Sequence, residues 1–193
     1  QLQHWEAELA LPGAAAPELL VRLSWALRQR DSRRALALAD QARPLLDPAD
    51  AADARLLLRL NLVEAELLLL QARMDPAEAL ALRCEAEARA QGEHAAHADA
   101  CLLLGVLAEI AGRAQPARLD AAVASAAKAG DEQRQRLFEL RAALYDCYRD
   151  PVGGRARHAA LAGPDPDPAI AAWSLELQGT MAAQASDYGV AAG

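Results

Sequence analysis

The chain has 193 residues, of which 20 are lysine or arginine and 27 are aspartate or glutamate, so its formal net charge is −7. This acidic balance disfavours a nucleic-acid-binding surface, which usually appears as a basic patch. Aromatic residues make up only 4% of the chain, and alanine and leucine dominate, which favours helices over sheets. The leucine run at residues 67–70 is far shorter than the roughly 20 apolar residues of a membrane-spanning helix. We therefore expect a cytoplasmic, all-α protein.

Proline, glycine and aspartate residues divide the chain into short segments in which apolar residues recur every three or four positions, the period of a helix. The predicted helices cover residues 2–11, 17–30, 33–46, 50–72, 77–90, 93–112, 117–129, 131–149, 152–162 and 169–184. The breaks fall at Pro12-Gly13, Asp31-Ser32, Asp47-Pro48, Gly92, Gln115-Pro116, Gly130, Asp150-Pro151 and the GPDPDP loop at 163–168. Pro76 is expected in the first turn of its helix, where its missing N–H is not needed.

Gly105 interrupts a leucine-rich segment, where a glycine costs about 1 kcal/mol relative to alanine. We expect close contact with another helix to offset this cost, because small residues let two helix axes approach each other. We predict that Gly105 faces Ala117 or Ala124. The wider pattern, with steps of three and four, consists of Cys101, Leu104, Gly105 and Ala108, followed by Ala117, Ala121 and Ala124.

This pattern resembles the tetratricopeptide repeat, a hairpin whose helices A and B pack through small side chains. The template also fits four other segments, although Glu66, Arg83 and Arg141 occupy positions where apolar residues are expected. The matching positions are Leu20, Leu23, Ser24 and Leu27 with Ala35, Ala39 and Ala42; Val63, Leu67 and Leu70 with Ala79 and Ala86; Phe138, Ala142 and Tyr145 with Gly154, His158 and Leu161; and Leu175, Gly179 and Ala182 with Ala191 after a turn at Asp187-Tyr188. The first small residues of successive B helices are 37 to 44 residues apart, longer than the standard repeat of about 34 residues.

The resemblance implies an all-α, right-handed solenoid of antiparallel helix pairs. A single array would occupy residues 1–193, with units at 17–48, 50–91, 93–129, 131–163 and a truncated 167–193. Residues 1–13, which include Trp5, are either a cap or the remnant of a preceding repeat. A simple helix bundle is the alternative, but it does not predict a recurring period.

Tetratricopeptide arrays bind proteins or peptides in a concave groove lined by their A helices. Carried onto this sequence, the resemblance implies a groove formed by Arg22, Trp25, Arg28, Gln29, Asn61, Glu64, Gln71, Glu109, Arg136, Glu139 and Asp146. A tryptophan beside arginines is typical of interaction hot spots. Core packing between units explains Trp25 equally well.

Catalytic and metal-binding signals are weak. His94, His97 and Cys101 share one helical face and are zinc-ligand types, but their spacing matches no established zinc motif. Cys101 also falls on a packing position, so we expect surface histidines beside a buried cysteine and no metal. The three cysteines are widely spaced without a CxxC pair, as in reduced cytosolic proteins. Gly153-Gly154 is too short for a phosphate-binding loop, and no cofactor fingerprint is present. We therefore predict no catalysis and no cofactor.

The stretch RLSWALRQRDSRRALALADQA, residues 22–42, is similar to regulatory tetratricopeptide modules that precede output domains such as GGDEF diguanylate cyclases in bacterial signalling proteins. The resemblance implies a non-catalytic, sensory, protein- or peptide-binding module whose partner is its own output domain or another copy, without nucleic acid or membrane. The alternatives are a self-association or scaffolding module and the sensor part of a LuxR-type transcription regulator. Because the first residue is Gln1 rather than methionine, we expect a segment excised from a longer chain.

Overall fold

The computed structural model describes residues 2–10, 16–161 and 168–191, and within these ranges the chain is helical without a β-strand. The helices are α1 Leu2–Leu9, α2 Pro17–Leu27, α3 Ser32–Ala42, α4 Ala51–Leu70, α5 Met74–Gln91, α6 His94–Ile110, α7 Pro116–Lys128, α8 Glu132–Arg149, α9 Pro151–Leu161 and α10 Pro168–Ala191, with a 3-10 turn at Arg43–Leu45. The predicted all-α class is confirmed. The predicted break at Pro12-Gly13 and residues 163–167 of the predicted loop lie outside the described residues. None of the helices in the described ranges has both the length and the apolar character needed to cross a membrane.

Aspartate side chains begin several of the helices. The carboxylates of Asp31 and Asp131 accept hydrogen bonds from backbone N–H groups three residues later, at 3.0 and 2.9 Å. Asp50 accepts from the N–H groups of residues 52 and 53, and Asp150 accepts from those of residues 152 and 153. Each carboxylate satisfies a donor that the first turn of a helix leaves unpaired. The predicted breaks at Asp31-Ser32, Gly130 and Asp150-Pro151 are therefore confirmed.

Four helix ends use the same left-handed turn. Gly92, Gly112 and Gly130 have φ values of 69°, 66° and 67°, and Ala72 has a φ of 59°. After each of them, the next residue donates its backbone N–H to a carbonyl five residues earlier, as in Glu93 N to Ala88 O at 2.9 Å. This is the Schellman arrangement, which favours glycine because left-handed backbone is strained for a residue with a Cβ. Ala72 occupies the position that glycine holds at the other three ends.

The chain divides into two compact units, residues 1–107 and 108–193. In the first unit, α2 packs on α1, α3 and α4, and α4 also packs on α3 and α5. Residues of α6 up to Leu107 share a core with α4 and α5. In the second unit, α8 packs on α7, α9 and α10, and α10 also contacts α9. The helices therefore pack on neighbours one or two places away along the chain. The solenoid stays a prediction.

Two hydrophobic clusters of the first unit lie on opposite sides of α4. One side of α4 contributes Leu60, Val63 and Leu67 to a cluster with α2 and α3. The other side contributes Leu58, Leu62 and Ala65 to a cluster with α5 and α6. Because α4 is buried on both of these sides, its polar residues are confined to the two strips between them.

The repeat template predicts the packing of α2 against α3. Leu20, Leu23, Ser24 and Leu27 of α2 and Ala35, Ala39 and Ala42 of α3 are all buried, as predicted. The hydroxyl of Ser24 also donates a hydrogen bond of 2.8 Å to the carbonyl oxygen of Ala35. The two small positions of this hairpin therefore contact each other directly.

The template has the wrong register in α5. Ala79 and Ala86, which were predicted to pack, are exposed. Ala77, Ala81 and Cys84, which keep the spacing of four and three but begin two residues earlier, are among the buried residues of α5. Alanine is compatible with any face of a helix, so an alanine-rich sequence matches the spacing in more than one register.

Two further packing predictions are wrong. In α7, Ala117 and Ala124 are exposed, while Leu119, Ala122, Ser125 and Ala126 are buried, so the two alanines that the template assigned to packing do not lie in the core. In α10, Leu175 is exposed, and the helix buries Ile170 and Leu177. The helix continues through Asp187 and Tyr188, where a turn was predicted.

A close approach of two helices occurs at Gly154 of α9. A Cβ on Gly154 would lie 2.5 Å from the backbone nitrogen of Cys147 and 2.6 Å from its sulfur, distances that real side chains do not adopt. The absence of a side chain at residue 154 thus lets α9 lie directly against α8. Gly154 and His158 are buried, as the template predicts.

Candidate functional site

Trp25 lies half-buried on α2 and contacts both hydrophobic clusters of the first unit. The guanidinium carbon of Arg28 is 3.7 Å from the centroid of its ring. The guanidinium of Arg59, on α4, is 4.4 Å from the same ring. Both distances are within the range of a cation–π interaction. Trp25 therefore packs in the core with part of its side chain and is contacted by two cations, and its place in a groove stays a prediction.

Carboxylates from the neighbouring helices balance these two guanidinium groups. Arg28 donates from Nε to Glu66 Oε2 on α4 at 2.6 Å, and Gln29 donates its amide to the other oxygen of Glu66. Arg59 pairs with Asp99 on α6. We call Trp25, Arg28, Arg59, Glu66 and Asp99 the Trp25 cluster. It connects α2, α4 and α6 through charged and aromatic side chains.

Asn61 and Glu64 lie on a different face of α4. Arg43, which follows α3, donates to Asn61 Oδ1 at 2.9 Å and to Glu64 Oε2 at 2.7 Å. Two residues of a helix turn through about 200°, so Glu64 projects away from the side that carries Glu66. Asn61 and Glu64 therefore lie on a different face of α4 from Glu66, and their place in one groove with Trp25 stays a prediction. Gln71, at the C-terminal end of α4, and Arg22, on α2, are both exposed.

A chain of ion pairs connects two predicted site residues of the second unit. Arg149 Nη1 is 3.2 Å from Glu109 Oε1, and its Nη2 is 2.8 Å from Asp146 Oδ1. Arg157 of α9 then joins Asp146 Oδ2 at 2.7 Å to Asp120 of α7 at 3.3 Å. Glu109 and Asp146 therefore belong to one network, in which each carboxylate is paired with arginine.

The other two predicted residues of the second unit are held within it. Arg136 donates from Nη2 to the backbone carbonyl of Leu161 at 3.3 Å. Glu139 accepts a hydrogen bond of 2.9 Å from the amide of Gln135, one turn earlier on α8. A groove that includes residues of both units stays a prediction.

The charged residues that did not fit the repeat template have specific environments. Glu66 is the partner of Arg28 and Gln29, and Arg83 is exposed. Arg141 forms a side-chain hydrogen bond with Tyr145 and favours the ionised phenol, although burial is the larger effect and raises the pKa of Tyr145. Of these three residues, Glu66 forms a contact between helices, whereas the contact of Arg141 with Tyr145 lies within α8.

The structure has the predicted buried cysteine, Cys101, beside a histidine that is less exposed than expected. His94 is exposed, whereas His97 is half-buried beside Cys101. The third residue near this thiol is Glu85 of α5, whose Oε1 is 3.9 Å from Cys101 Sγ. The Cys101 sulfur lies 3.7 Å from Nδ1 and 3.8 Å from Nε2 of His97. Elsewhere, burial raises the pKa of the Cys84 thiol to about 12 and also raises that of Cys147.

Sequence reasoning missed Arg59, Asp99 and Glu85. Arg59 and Glu66 are seven residues apart and therefore share one face of a helix, a signal that could have identified the polar strip of α4. Asp99 and Glu85 have no such signal, because their partners lie on other helices and only the packing brings them together.

Comparisons with protein-family models, with curated proteins and with solved structures found nothing that matches this chain.

Proposed function

We propose that this chain is a non-catalytic module that binds a protein or peptide, with the Trp25 cluster as its recognition surface. Within this proposal, the helix pairs are tetratricopeptide-like and α2, α4 and α6 are the A helices that present the cluster. The observation that carries the proposal is the half-buried Trp25 ring contacted by two guanidinium groups. A rigid aromatic residue next to arginines is the composition enriched in binding hot spots.

The cluster is preorganised for binding. Glu66 and Asp99 fix Arg28 and Arg59, so these long side chains lose little additional conformational freedom when a partner arrives. Ordering a flexible side chain costs about 0.5–1.5 kcal/mol at an interface. In the folded chain, both arginine side chains are already ordered before a partner binds.

Arg22 is the exposed cation closest to Trp25 along α2, one helical turn before it. Because Arg28 and Arg59 already pair with carboxylates, Arg22 is the arginine of α2 available to an acidic group of a partner. The surface therefore suits a segment that places an apolar side chain on Trp25 and a carboxylate near Arg22.

A peptide selection tests this function. Peptides selected from a displayed random library on the immobilised chain are labelled, and their dissociation constants are measured by fluorescence anisotropy. We expect Arg22→Glu to weaken binding by about 10-fold or more, which corresponds to about 1.4 kcal/mol. Arg33→Glu is the matched control, because Arg33 is also exposed and lies on α3. Failure to select any peptide, or equal effects of the two reversals, would contradict the proposal.

We further propose that the module regulates a larger bacterial signalling protein in the cytoplasm. The support is the similarity of residues 22–42 to modules that precede GGDEF output domains. The output domain itself is then a possible source of the bound segment. Fusion of the chain to a diguanylate cyclase domain tests this role, and cyclase activity that is identical in wild-type and Arg22→Glu fusions argues against it.

Self-association is the second candidate function, and exposed apolar side chains in the second unit favour it. Tyr148, Val152 and Leu175 are 63%, 71% and 66% exposed. Light scattering over a wide concentration range tests this function. A molar mass that is independent of concentration, and unchanged by Val152→Glu, would exclude assembly through these residues.

A further inference from the structure

Glu85, His97 and Cys101 bring three metal-ligand types together between α5 and α6. One ligand atom from each residue lies within 4.8 Å of the other two. Cys101 is buried, and Glu85 and His97 are half-buried beside it. Side chains that project from facing helices are the usual way in which helical proteins build metal sites.

The spacing of these atoms suits a small tetrahedral ion. Zinc bonds of about 2.3 Å to sulfur and about 2.0 Å to nitrogen or oxygen separate the ligand atoms of a tetrahedron by about 3.5 Å. The Cys101 sulfur lies 3.7 and 3.8 Å from the two nitrogens of His97 and 3.9 Å from Glu85 Oε1. A contraction of a few tenths of an ångström therefore brings the two distances from the sulfur to those of a zinc site, and rotation of the imidazole brings one of its nitrogens toward the ion.

The positions of the ligands on their helices are also suitable. His97 and Cys101 are four residues apart on α6, the same i, i+4 spacing that places two zinc ligands on one helix face in HExxH sites. Glu85 reaches them from α5. Arg89 donates to Glu85 Oε1 at 3.1 Å, and partners of this kind orient a carboxylate ligand.

We propose that Glu85, His97 and Cys101 form a binding site for a zinc-class divalent ion. The ion replaces the proton of the Cys101 thiol, which is released to solvent, and binds the sulfur as a thiolate together with one imidazole nitrogen and one carboxylate oxygen. Water occupies the fourth position. The thiolate selects zinc over magnesium or calcium, which prefer oxygen ligands. The sequence alone predicted no metal, because the spacing of His94, His97 and Cys101 matches no established zinc motif, and it gave no sign of Glu85, which lies on a different helix.

Cobalt(II) is the probe that tests this proposal, because it reports thiolate ligation by a sulfur-to-cobalt charge-transfer band. The full chain is stripped of metal, titrated with Co²⁺ and then competed with Zn²⁺. We expect the band in the wild type and its loss in Cys101→Ser. Cys84→Ser is the matched control, because Cys84 is also buried but is not part of the triad, and it should keep the band.

Two further variants keep the proposal falsifiable if Cys101→Ser does not fold. Glu85→Gln and His97→Gln alter half-buried side chains, and we expect each to weaken Co²⁺ binding by about 10-fold or more. Removal of a residue that only hydrogen-bonds to a metal ligand already lowers metal affinity by about this factor. Absence of the band in the wild type overturns the proposal. It is also overturned if the band persists in folded Cys101→Ser, or if neither Glu85→Gln nor His97→Gln changes the affinity, because the thiolate would then be acting alone.

Discussion

The hydroxyl of Ser24 and the carbonyl oxygen of Ala35 are joined by a hydrogen bond of 2.8 Å at a point where both residues are fully buried. Small side chains on facing helices allow the helix axes to approach to the lower end of the usual 8–10 Å range. At this distance the serine hydroxyl reaches the backbone of α3. Ser24 therefore combines the role of a small packing residue with that of a buried donor.

Replacement of Ser24 tests both roles. We expect Ser24→Ala to lower the free energy of unfolding by about 0.5–1.5 kcal/mol, the net contribution of one hydrogen bond. Ser24→Leu should cost about 1–3 kcal/mol or more, because its larger side chain overpacks the contact. Urea unfolding measures both changes. Ala37→Leu, at an exposed position of α3, is the size control and should change stability little.

Two alanines of α5 test the corrected register. Ala77 is fully buried, so Ala77→Leu should lower the free energy of unfolding by about 1–3 kcal/mol through overpacking. Ala79 is exposed, so Ala79→Leu should remain within about 0.5 kcal/mol of the wild type. The same pair of substitutions would give the opposite order if the repeat template had the right register. Chemical denaturation of the two variants therefore distinguishes the registers.

Gly154 and Gly179 form a matched pair in the second unit. A Cβ at residue 154 would overlap the backbone of Cys147, whereas a Cβ at residue 179 meets no atom within 4 Å. We expect Gly179→Ala to stabilise α10 by up to about 1 kcal/mol, because alanine is the better helix former. Gly154→Ala should instead destabilise the chain by about 1–3 kcal/mol despite the same gain in propensity. Thermal unfolding of both variants shows whether their effects differ in sign.

Replacement of Ala72, at the C-terminal end of α4, should increase the stability of the chain. Left-handed backbone costs a residue with a Cβ about 1–2 kcal/mol, and Ala72 has a φ of 59°. We therefore expect Ala72→Gly to raise the free energy of unfolding by about 1 kcal/mol, after the greater flexibility of glycine in the unfolded chain is deducted. Gly92→Ala is the reciprocal substitution at an equivalent turn and should be destabilising. Stabilities that move in the same direction would contradict this account of the two turns.

The buried thiol of Cys84 should make stability fall at high pH. Burial raises its pKa from 9.0 to about 12 in the folded chain. Above pH 9 the unfolded chain loses this proton while the folded chain retains it, so ionisation favours unfolding. The stabilising contribution is complete below pH 9 and is lost progressively toward pH 12.

Urea titrations at pH 8 and pH 10.5 measure this effect, with Cys84→Ala as the reference that lacks the thiol. We expect the free energy of unfolding of the wild type to fall, relative to that of Cys84→Ala, between pH 8 and pH 10.5. A difference that is the same at both pH values would show that the folded thiol ionises as readily as the unfolded one.

Helix boundaries could be predicted from the sequence, because their signals are local. Asp31, Asp131 and Asp150 each cap a helix through an N–H group within three residues. Gly92 and Gly130 end helices through bonds that span five residues. Neither kind of contact depends on the rest of the fold.

Register and side-chain partners could be predicted only in part, because they depend on packing between helices. The template is right for Ala35 and Gly154 but wrong for Ala79 and Ala117, and alanine is abundant enough to match on several faces. The residues of the candidate site also show this dependence on packing. Trp25 and Arg28 were identified because they lie close together in the sequence, whereas Asp99 is contributed by another helix.

The pairing of helices with neighbours one or two places along the chain has a consequence for folding kinetics. Each contact closes a short loop, so little entropy is lost before a favourable contact forms. Proteins dominated by such local contacts fold on microsecond to millisecond timescales. The α2–α3 hairpin can therefore form while later residues are still being synthesised. A segment that unfolds locally can also refold without contacts to residues far away in the sequence.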